Sequence, residues 1–193
     1  KQINKISQKA ISVFKANEIK EKQKRIKNSI LKTKALDSIG ISLTMSSGYK
    51  LFKKENNNKF WFQRETQKGS VNLLIYTLPL YKKNPNLESI IALRDSIGKA
   101  FVPGRNKDSY LITEKAYEPY FFKTKVSSLN TFETRGTWEV VNDYMAGPFL
   151  NYYIKDLKNN RTIVIEGFVF SPSVRKREYL VELEAIVRSL KVF

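Results

Sequence analysis

The chain predicts an α+β fold, a largely antiparallel sheet flanked by helices, with a long basic helix at its N-terminus. Three features of the sequence predict it. Apolar residues change from helical spacing to alternation at Leu36. The alternating runs follow one another through short turn signals, as hairpins do. Helical patterns fall at the two ends and once between, unlike the strict strand–helix alternation of a doubly wound sheet.

Residues 1–35 hold eleven basic and two acidic side chains and no Pro or Gly. Their apolar residues Ile3, Ile6, Ala10 and Val13 are spaced three, four, three, and the stripe thins through Ile19, Ile26, Ile30 and Leu31. Continuous helix here would run about 50 Å, longer than a compact domain needs. The segment is read as a basic amphipathic connecting arm ahead of one α+β domain over residues 36–193. A sharper reading makes it an arm attracted to anionic lipid or nucleic acid, and a third leaves it partly disordered.

In the domain, Ile39, Ile41, Leu43 and Met45 alternate as a half-buried strand, and Ser46-Ser47-Gly48 turns the chain. Lys53 to Lys59, with three consecutive Asn, reads as a polar loop. Phe60–Glu65 is a strand and Gln67–Ser70 a hairpin turn. Val71–Leu78 is apolar on both faces apart from Asn72, which places it centrally. Asn86 or Asn84 caps a helix with Leu87, Ile90, Ile91, Ile97 and Phe101 on its apolar face, stopped by Pro103-Gly104; Arg94, Asp95 and Lys99 are assigned to its other positions. Strands follow at Ser109–Glu114, Tyr120–Val126 and Phe132–Val141, then a turn over Asn142–Pro148. Leu150–Asp156 and Arg161–Phe170 form a hairpin around Lys158-Asn159-Asn160. The last helix carries Tyr179, Leu180, Leu183, Ile186, Val187 and Leu190 on one side.

Composition narrows the chemistry. The 193 residues contain 35 Lys+Arg against 18 Asp+Glu, a net charge of +17, with no Cys and no His. Disulfides, thiolate metal sites, Cys nucleophiles, and the usual neutral-pH base and zinc ligand are therefore excluded. No phosphate-loop, dinucleotide or nucleophile-elbow motif occurs, and neither cofactor nor metal is expected. No window approaches the 18 apolar residues of a membrane span. The opening segment lacks a signal peptide's apolar centre and cleavage site. Either the chain is cytoplasmic or it begins downstream of its targeting segment, and the start at Lys1 favours the second.

A few charges stand on faces otherwise meant for the core. Glu133, Arg135 and Glu139 share one strand face; Arg64 is in line with Phe60 and Phe62, and Glu166 with Val164 and Phe168. Stranding such a charge costs several kcal/mol, on the order of 3–5, so each must be paired or face a cleft. In one reading Arg64 and Arg135 pair with Glu133 or Glu166 as internal bridges. In the other they line a groove that grips an anionic ligand. A two-carboxylate hydrolase using Glu133, Glu139 or Glu166 ranks third. Arg105 and Lys107, in the Pro103–Lys107 turn, form a candidate anion loop whose default is a basic surface loop. Arg175-Lys176-Arg177 opposes a helix macrodipole and hints at a partner contact. Phe121, Phe122, Lys123 and Lys125, with Tyr152, Tyr153 and Lys155, suggest single-strand nucleic-acid binding, but no recognised motif supports it, which makes nucleic acid an unfavoured partner.

Several segments together carry a resemblance. They are Phe60-Trp61-Phe62-Gln63-Arg64-Glu65-Thr66, Arg94-Asp95-Ser96 with Val102-Pro103-Gly104, Glu133-Thr134-Arg135-Gly136-Thr137-Trp138, Asp143-Tyr144-Met145-Ala146-Gly147-Pro148-Phe149, and Glu166-Gly167-Phe168-Val169-Phe170-Ser171-Pro172. From Leu36 to Val192 the chain resembles the C-terminal half of a Bacteroidota cell-envelope lipoprotein family of unknown function. Its strand and helix order is more loosely similar to PsbP-like domains. Ala146 and Thr137 depart from the family's Gly and bulky apolar residue. The resemblance implies a periplasmic or outer-membrane setting, a lipid anchor upstream of this chain, and no catalytic residues to carry over. The expected function is a non-enzymatic accessory module binding a protein partner or the membrane surface. Its contact surfaces are the basic helix and a groove around Arg64, Glu133, Arg135, Glu166 and the turn bearing Tyr144, Met145, Gly147 and Phe149. An anion- or nucleic-acid-binding module is the alternative.

Overall fold

The computed structural model describes residues 2–193. Helix α1 (Gln2–Lys27) precedes a 3-10 turn at Asp37–Ile39 and strands β1 (Ile41–Ser42), β2 (Lys50–Glu55), β3 (Lys59–Thr66) and β4 (Gly69–Pro79). Helix α2 (Leu87–Phe101) crosses over to β5 (Leu111–Thr113), β6 (Tyr120–Val126), β7 (Leu129–Val140), β8 (Ala146–Asp156) and β9 (Arg161–Phe170). Helix α3 (Arg177–Val187) and β10 (Lys191–Val192) close the chain. The fold is α+β. Eight strands form an antiparallel sheet in the order β2-β3-β4-β9-β8-β7-β5, with β6 also on β7, and β1 pairs separately with β10. No described helix is long and apolar enough to cross a membrane.

The central strands β4, β8 and β9 are buried on both faces, as the continuous apolar run at Val71–Leu78 requires. One face, bearing Phe60, Phe62, Leu73, Tyr152 and Ile165, packs against Leu183, Ile186 and Val187 of α3 and Ile26 of α1. On the other face Tyr76, Phe132, Tyr153 and Val164 meet Ile90 of α2, while Trp61, Leu74, Trp138 and Phe149 meet Phe101. Helix α2 begins in a reciprocal capping box, in which the Asn86 side chain accepts from the Ser89 N–H and Ser89 Oγ takes the Asn86 N–H.

Four local expectations change. The strand expected over Ile39–Met45 is a 3-10 turn and a two-residue strand. Ile39, Ile41 and Met45 are buried as the alternation implies, but Gly40 takes a left-handed φ of 56° and β10 offers only two residues to pair with. Residues Lys53–Glu55, expected in a loop, belong to β2, because the β3 edge supplies a ladder that outweighs their polarity. The turn itself is Asn56–Asn58, where Asn56 and Asn57 hold positive φ. Strand β8 starts at Ala146, so the turn before it ends by Met145. Helix α1 stops at Lys27 short of residue 35, and the Ile3 side chain of its predicted stripe lies outside the described residues.

The β8–β9 hairpin is fastened by Asp156, which is 1% exposed. Its carboxylate accepts from Arg161 Nε at 2.7 Å and Asn159 Nδ2 at 2.8 Å, and Arg161 also donates to the Ile39 carbonyl. Burial raises this carboxyl, but the Asn159 and Arg161 hydrogen bonds outweigh it and hold the group below its ordinary 3.8. A lowered carboxyl contributes stability that is present above its unfolded value and lost as pH falls through the folded one. Asp156→Asn should therefore destabilise the domain at pH 7, with the deficit shrinking below pH ~4. Urea unfolding of both proteins across that range measures it, and a deficit constant with pH would exclude the linkage.

Candidate functional site

The inward-facing charges separate onto the two faces of the sheet. On the α3 face, Arg64 of β3 donates through Nε and Nη2 to Glu182 at 3.1 and 2.9 Å, and the Tyr49 hydroxyl donates to the same carboxylate at 3.0 Å. The guanidinium lies 5.6 Å from the Tyr49 ring centre and 5.7 Å from that of Tyr179. Burial, then the Glu182 charge, pushes the Tyr49 hydroxyl well above its ordinary range and keeps it a donor. Arg64 is thus a closed bridge from sheet to helix.

Further along the same face, Arg135 joins Glu133 of its own strand to Glu184 of α3 and reaches the Tyr152 hydroxyl at 3.3 Å. Burial works against the guanidinium, but Tyr152, Glu133 and Glu184 together raise it further, so it stays charged. Arg188 closes the cluster, 3.6 Å from Glu133 and 3.5 Å from Glu184, and donates to the Lys125 carbonyl at 2.7 Å. These four side chains floor an open groove of about 620 Å³ between α1, β6 and α3. Lys15 and Lys20 of α1 and Lys123 of β6 stand on its rim with Phe122. None of the three lysines meets an acidic partner among the described residues.

Glu166 lies on the α2 face, away from Arg64 and Arg135. Its Oε1 is 3.0 Å from Arg94 Nη2, both side chains at most 2% exposed, and its Oε2 accepts from Asn151 Nδ2 at 3.0 Å. The Arg94 contact is Coulombic, since its N–H is not aimed for a hydrogen bond. Arg94 also donates to Thr113 Oγ1 at 2.8 Å and stacks 3.8 Å from the centre of the Phe149 ring. Burial pushes the Glu166 carboxyl up, against the pull of Arg94 and Asn151. Gly147 lets the edges of β8 and β9 approach: a Cβ there would sit 2.1 Å from the Val169 carbonyl oxygen. Met145 packs against the Trp138 cluster, whereas Tyr144 is fully exposed at the turn tip.

The structure therefore gathers Glu133 with Arg135, and Glu166 with Phe149, but no groove unites these pairs with Arg64. Arg64 pairs with Glu182, not with Glu133 or Glu166, because β3 lies beneath α3. In the candidate anion loop, Asp143 takes both Arg105 Nε and Nη2, at 2.9 and 2.6 Å, and Lys107 remains exposed beside it. Of the aromatics suggestive of nucleic acid, Tyr152 and Tyr153 are buried and Phe121 stacks on Phe132, which leaves Phe122 outside, next to the exposed Tyr120. Arg177 pairs with Glu18 of α1. The carboxylates considered for hydrolysis do not face one another. Glu166 and Glu133 lie on opposite sheet faces, and Glu133 and Glu139 are six residues apart on one strand, about 20 Å. The described residues contain no metal-ligating cluster of three or more acidic side chains.

Reasoning from sequence missed Arg94, Glu182, Glu184 and Arg188. Arg94 was recoverable: it falls four residues after Ile90 and three before Ile97, inside the apolar stripe, where a buried Arg demands an acid. Glu182 and Glu184 flank the apolar face of α3, and only the crossing of helix over sheet shows which guanidinium each meets.

An antiparallel domain whose two faces are each closed by a helix and an internal ion-pair cluster defines a scaffold with one lysine-rimmed outer groove between α1, β6 and α3. The chain belongs to the family described as Domain of unknown function (DUF4837), whose sequence profile matches residues 27–189. No curated protein matches the chain. Among solved structures it is similar to a point mutant of protein Mog1, at TM-score 0.47 and 9% identity over 79% of this chain and 90% of that one. It is likewise similar to the Saccharomyces cerevisiae Ran-binding protein Mog1p, at TM-score 0.47 and 10% identity with the same coverage.

Removing Arg94 leaves Glu166 buried without a countercharge. Arg94→Met should cost about 3–5 kcal/mol of unfolding free energy, and the double variant Arg94→Met/Glu166→Leu should recover most of it. Denaturant unfolding of the three proteins checks this, and equal losses in single and double variants would refute the pairing.

Proposed function

We propose that this chain is a non-catalytic accessory domain of the cell envelope that docks an acidic segment of a protein partner in the groove between α1, β6 and α3. The observation that carries the reading is the division of charge within that groove. Glu133 and Glu184 on the floor are clamped by Arg135 and Arg188, whereas Lys15, Lys20 and Lys123 on the rim have no acidic partner among the described residues. A clamped floor offers no free carboxylate for acid–base work, and an unpaired cationic rim draws a partner by complementary potential. Phe122 supplies an apolar contact at the centre of the rim.

Nucleic acid fits less well. The exposed rings Tyr120 and Phe122 stack on each other at 6.2 Å between centroids and are not spaced to receive successive bases. The envelope setting and an upstream lipid anchor rest on the resemblance of residues 36–192 to Bacteroidota envelope lipoproteins.

Fluorescence anisotropy with a labelled glutamate-rich heptapeptide, its lysine-rich counterpart and a single-stranded oligonucleotide tests the docking reading. The acidic peptide should bind, and Lys15→Glu/Lys20→Glu/Lys123→Glu should weaken it about tenfold or more at low salt. Oligonucleotide binding that persists at physiological salt, or peptide binding indifferent to the triple variant, would overturn the proposal. Fractionation of the native cells should place the protein with the envelope, and recovery from the cytosol would remove that part.

A further inference from the structure

Helix α1 carries two apolar faces that point in opposite directions. At 100° per residue, Ile19, Gln23 and Ile26 share the side that meets the domain. Ile26 is buried in the main core, and Gln23 donates to the Ala185 carbonyl at 3.0 Å. Ile6, Ala10, Val13 and Phe14 share a second side, about 180° around the cylinder from the first. That stripe faces away from α3 and the sheet, with Ile6 69%, Val13 52% and Phe14 74% exposed. Single exposed apolar side chains are ordinary, but four aligned on one side of a half-helix require a cover.

The charge around the stripe indicates which cover. Between Gln2 and Asn17 the sequence holds Lys5, Lys9 and Lys15 and no acid. Lys9 is exposed on the flank of the stripe one turn from Val13, at the level where an ammonium group meets headgroups when an apolar face lies in a lipid surface, whereas Lys15 lies toward the groove. A second copy of the helix would set one acid-free cationic segment against another. An anionic lipid surface satisfies both the apolar stripe and the lysine beside it in an acid-free segment. The geometry points to the first half of α1 as a membrane-surface contact that lies on anionic lipid and holds the folded domain on the far side. This contact is independent of the peptide groove, which opens on the opposite side of the same helix.

The whole chain is mixed with phosphatidylcholine vesicles with and without about 30% phosphatidylglycerol. It should co-sediment with the anionic vesicles, and Val13→Ser/Phe14→Ser should weaken this about tenfold or more, while Lys123→Glu leaves it little changed. The chain has no Cys, so an environment-sensitive dye can be attached at Ala10→Cys or Ala16→Cys alone. The emission should shift blue on anionic vesicles at Ala10→Cys and stay unshifted at Ala16→Cys, which faces the groove. Vesicle binding unchanged by Val13→Ser/Phe14→Ser with a silent dye reduces the effect to charge attraction and overturns the assignment. So does loss on Lys123→Glu instead, which would move the lipid contact to the groove. A dimer in sedimentation equilibrium that Val13→Ser/Phe14→Ser abolishes would make a second copy the cover. Circular dichroism verifies that each variant keeps its fold.

Discussion

Guanidinium groups beneath the helices set the geometry of this domain. A charged group on a sheet face that must also pack against a helix is tolerated only if the helix brings the countercharge, because an unpaired ion there loses its hydration with nothing in return. Three such pairings cross from sheet to helix: Arg64 to Glu182, Arg135 to Glu184 and Glu166 to Arg94. Two tie α3 to one face and one ties α2 to the other. Each fixes the azimuth of a helix that apolar packing alone would leave free to rotate, since Leu and Ile contacts are non-directional. The partly exposed pairs add little net energy. Their contribution is specificity of arrangement, with the surrounding apolar clusters supplying the larger share of the stability.

The sheet ends on β2 at one side and on β5 and β6, which share β7, at the other, and both β2 and β6 are basic. Strand β2 bears Lys50, Lys53 and Lys54 and pairs only with β3, while β6 bears Lys123 and Lys125 and pairs only with β7. Lysines on an edge discourage pairing with another copy of the same strand, which would bring like charges together. The same lysines leave the edge attractive to an acidic chain. Protection against self-association and readiness for an oppositely charged partner thus come from one set of residues, and much of the domain's excess charge sits where it serves both ends.

Long elements were legible where period and punctuation agreed. The apolar run at Val71–Leu78 located a central strand, Lys158-Asn159-Asn160 located the β8–β9 hairpin, and the Asn84/Asn86 pair bracketed the start of α2, whose cap is Asn86. Errors arose where pairing partners decide. Lys53–Glu55 reads as loop because nothing local reveals that β3 will offer it an open edge, and Ile39–Met45 reads as strand because burial alternates even where a ladder barely forms. For the charged side chains, Glu133 and Arg135 were legible as neighbours, since period two places them on one face. Their third member, Glu184, arrives from 49 residues further along the chain, and no spacing rule encodes that meeting. Arg94 and Glu166 illustrate the same limit from the other side: each is odd on its own apolar face, and recognising both as odd would have paired them.

Helix α1 links the two outward-looking features, although most of it precedes the family-matched residues 27–189. Those matched residues furnish the groove's floor and its β6 wall, whereas Lys15 and Lys20 come from the preceding helix. The groove is therefore complete only while α1 stays seated on α3. The surface bridges Lys22–Glu178 and Arg177–Glu18 hold it weakly, leaving Ile26 and the Gln23–Ala185 hydrogen bond as the principal fastening. Because that fastening lies in the second half of the helix, the first half can engage a surface on its outer side without disturbing the seat. Seating and surface contact use opposite sides of one rigid rod, so whatever binds the outer stripe also fixes the direction in which the lysine rim opens.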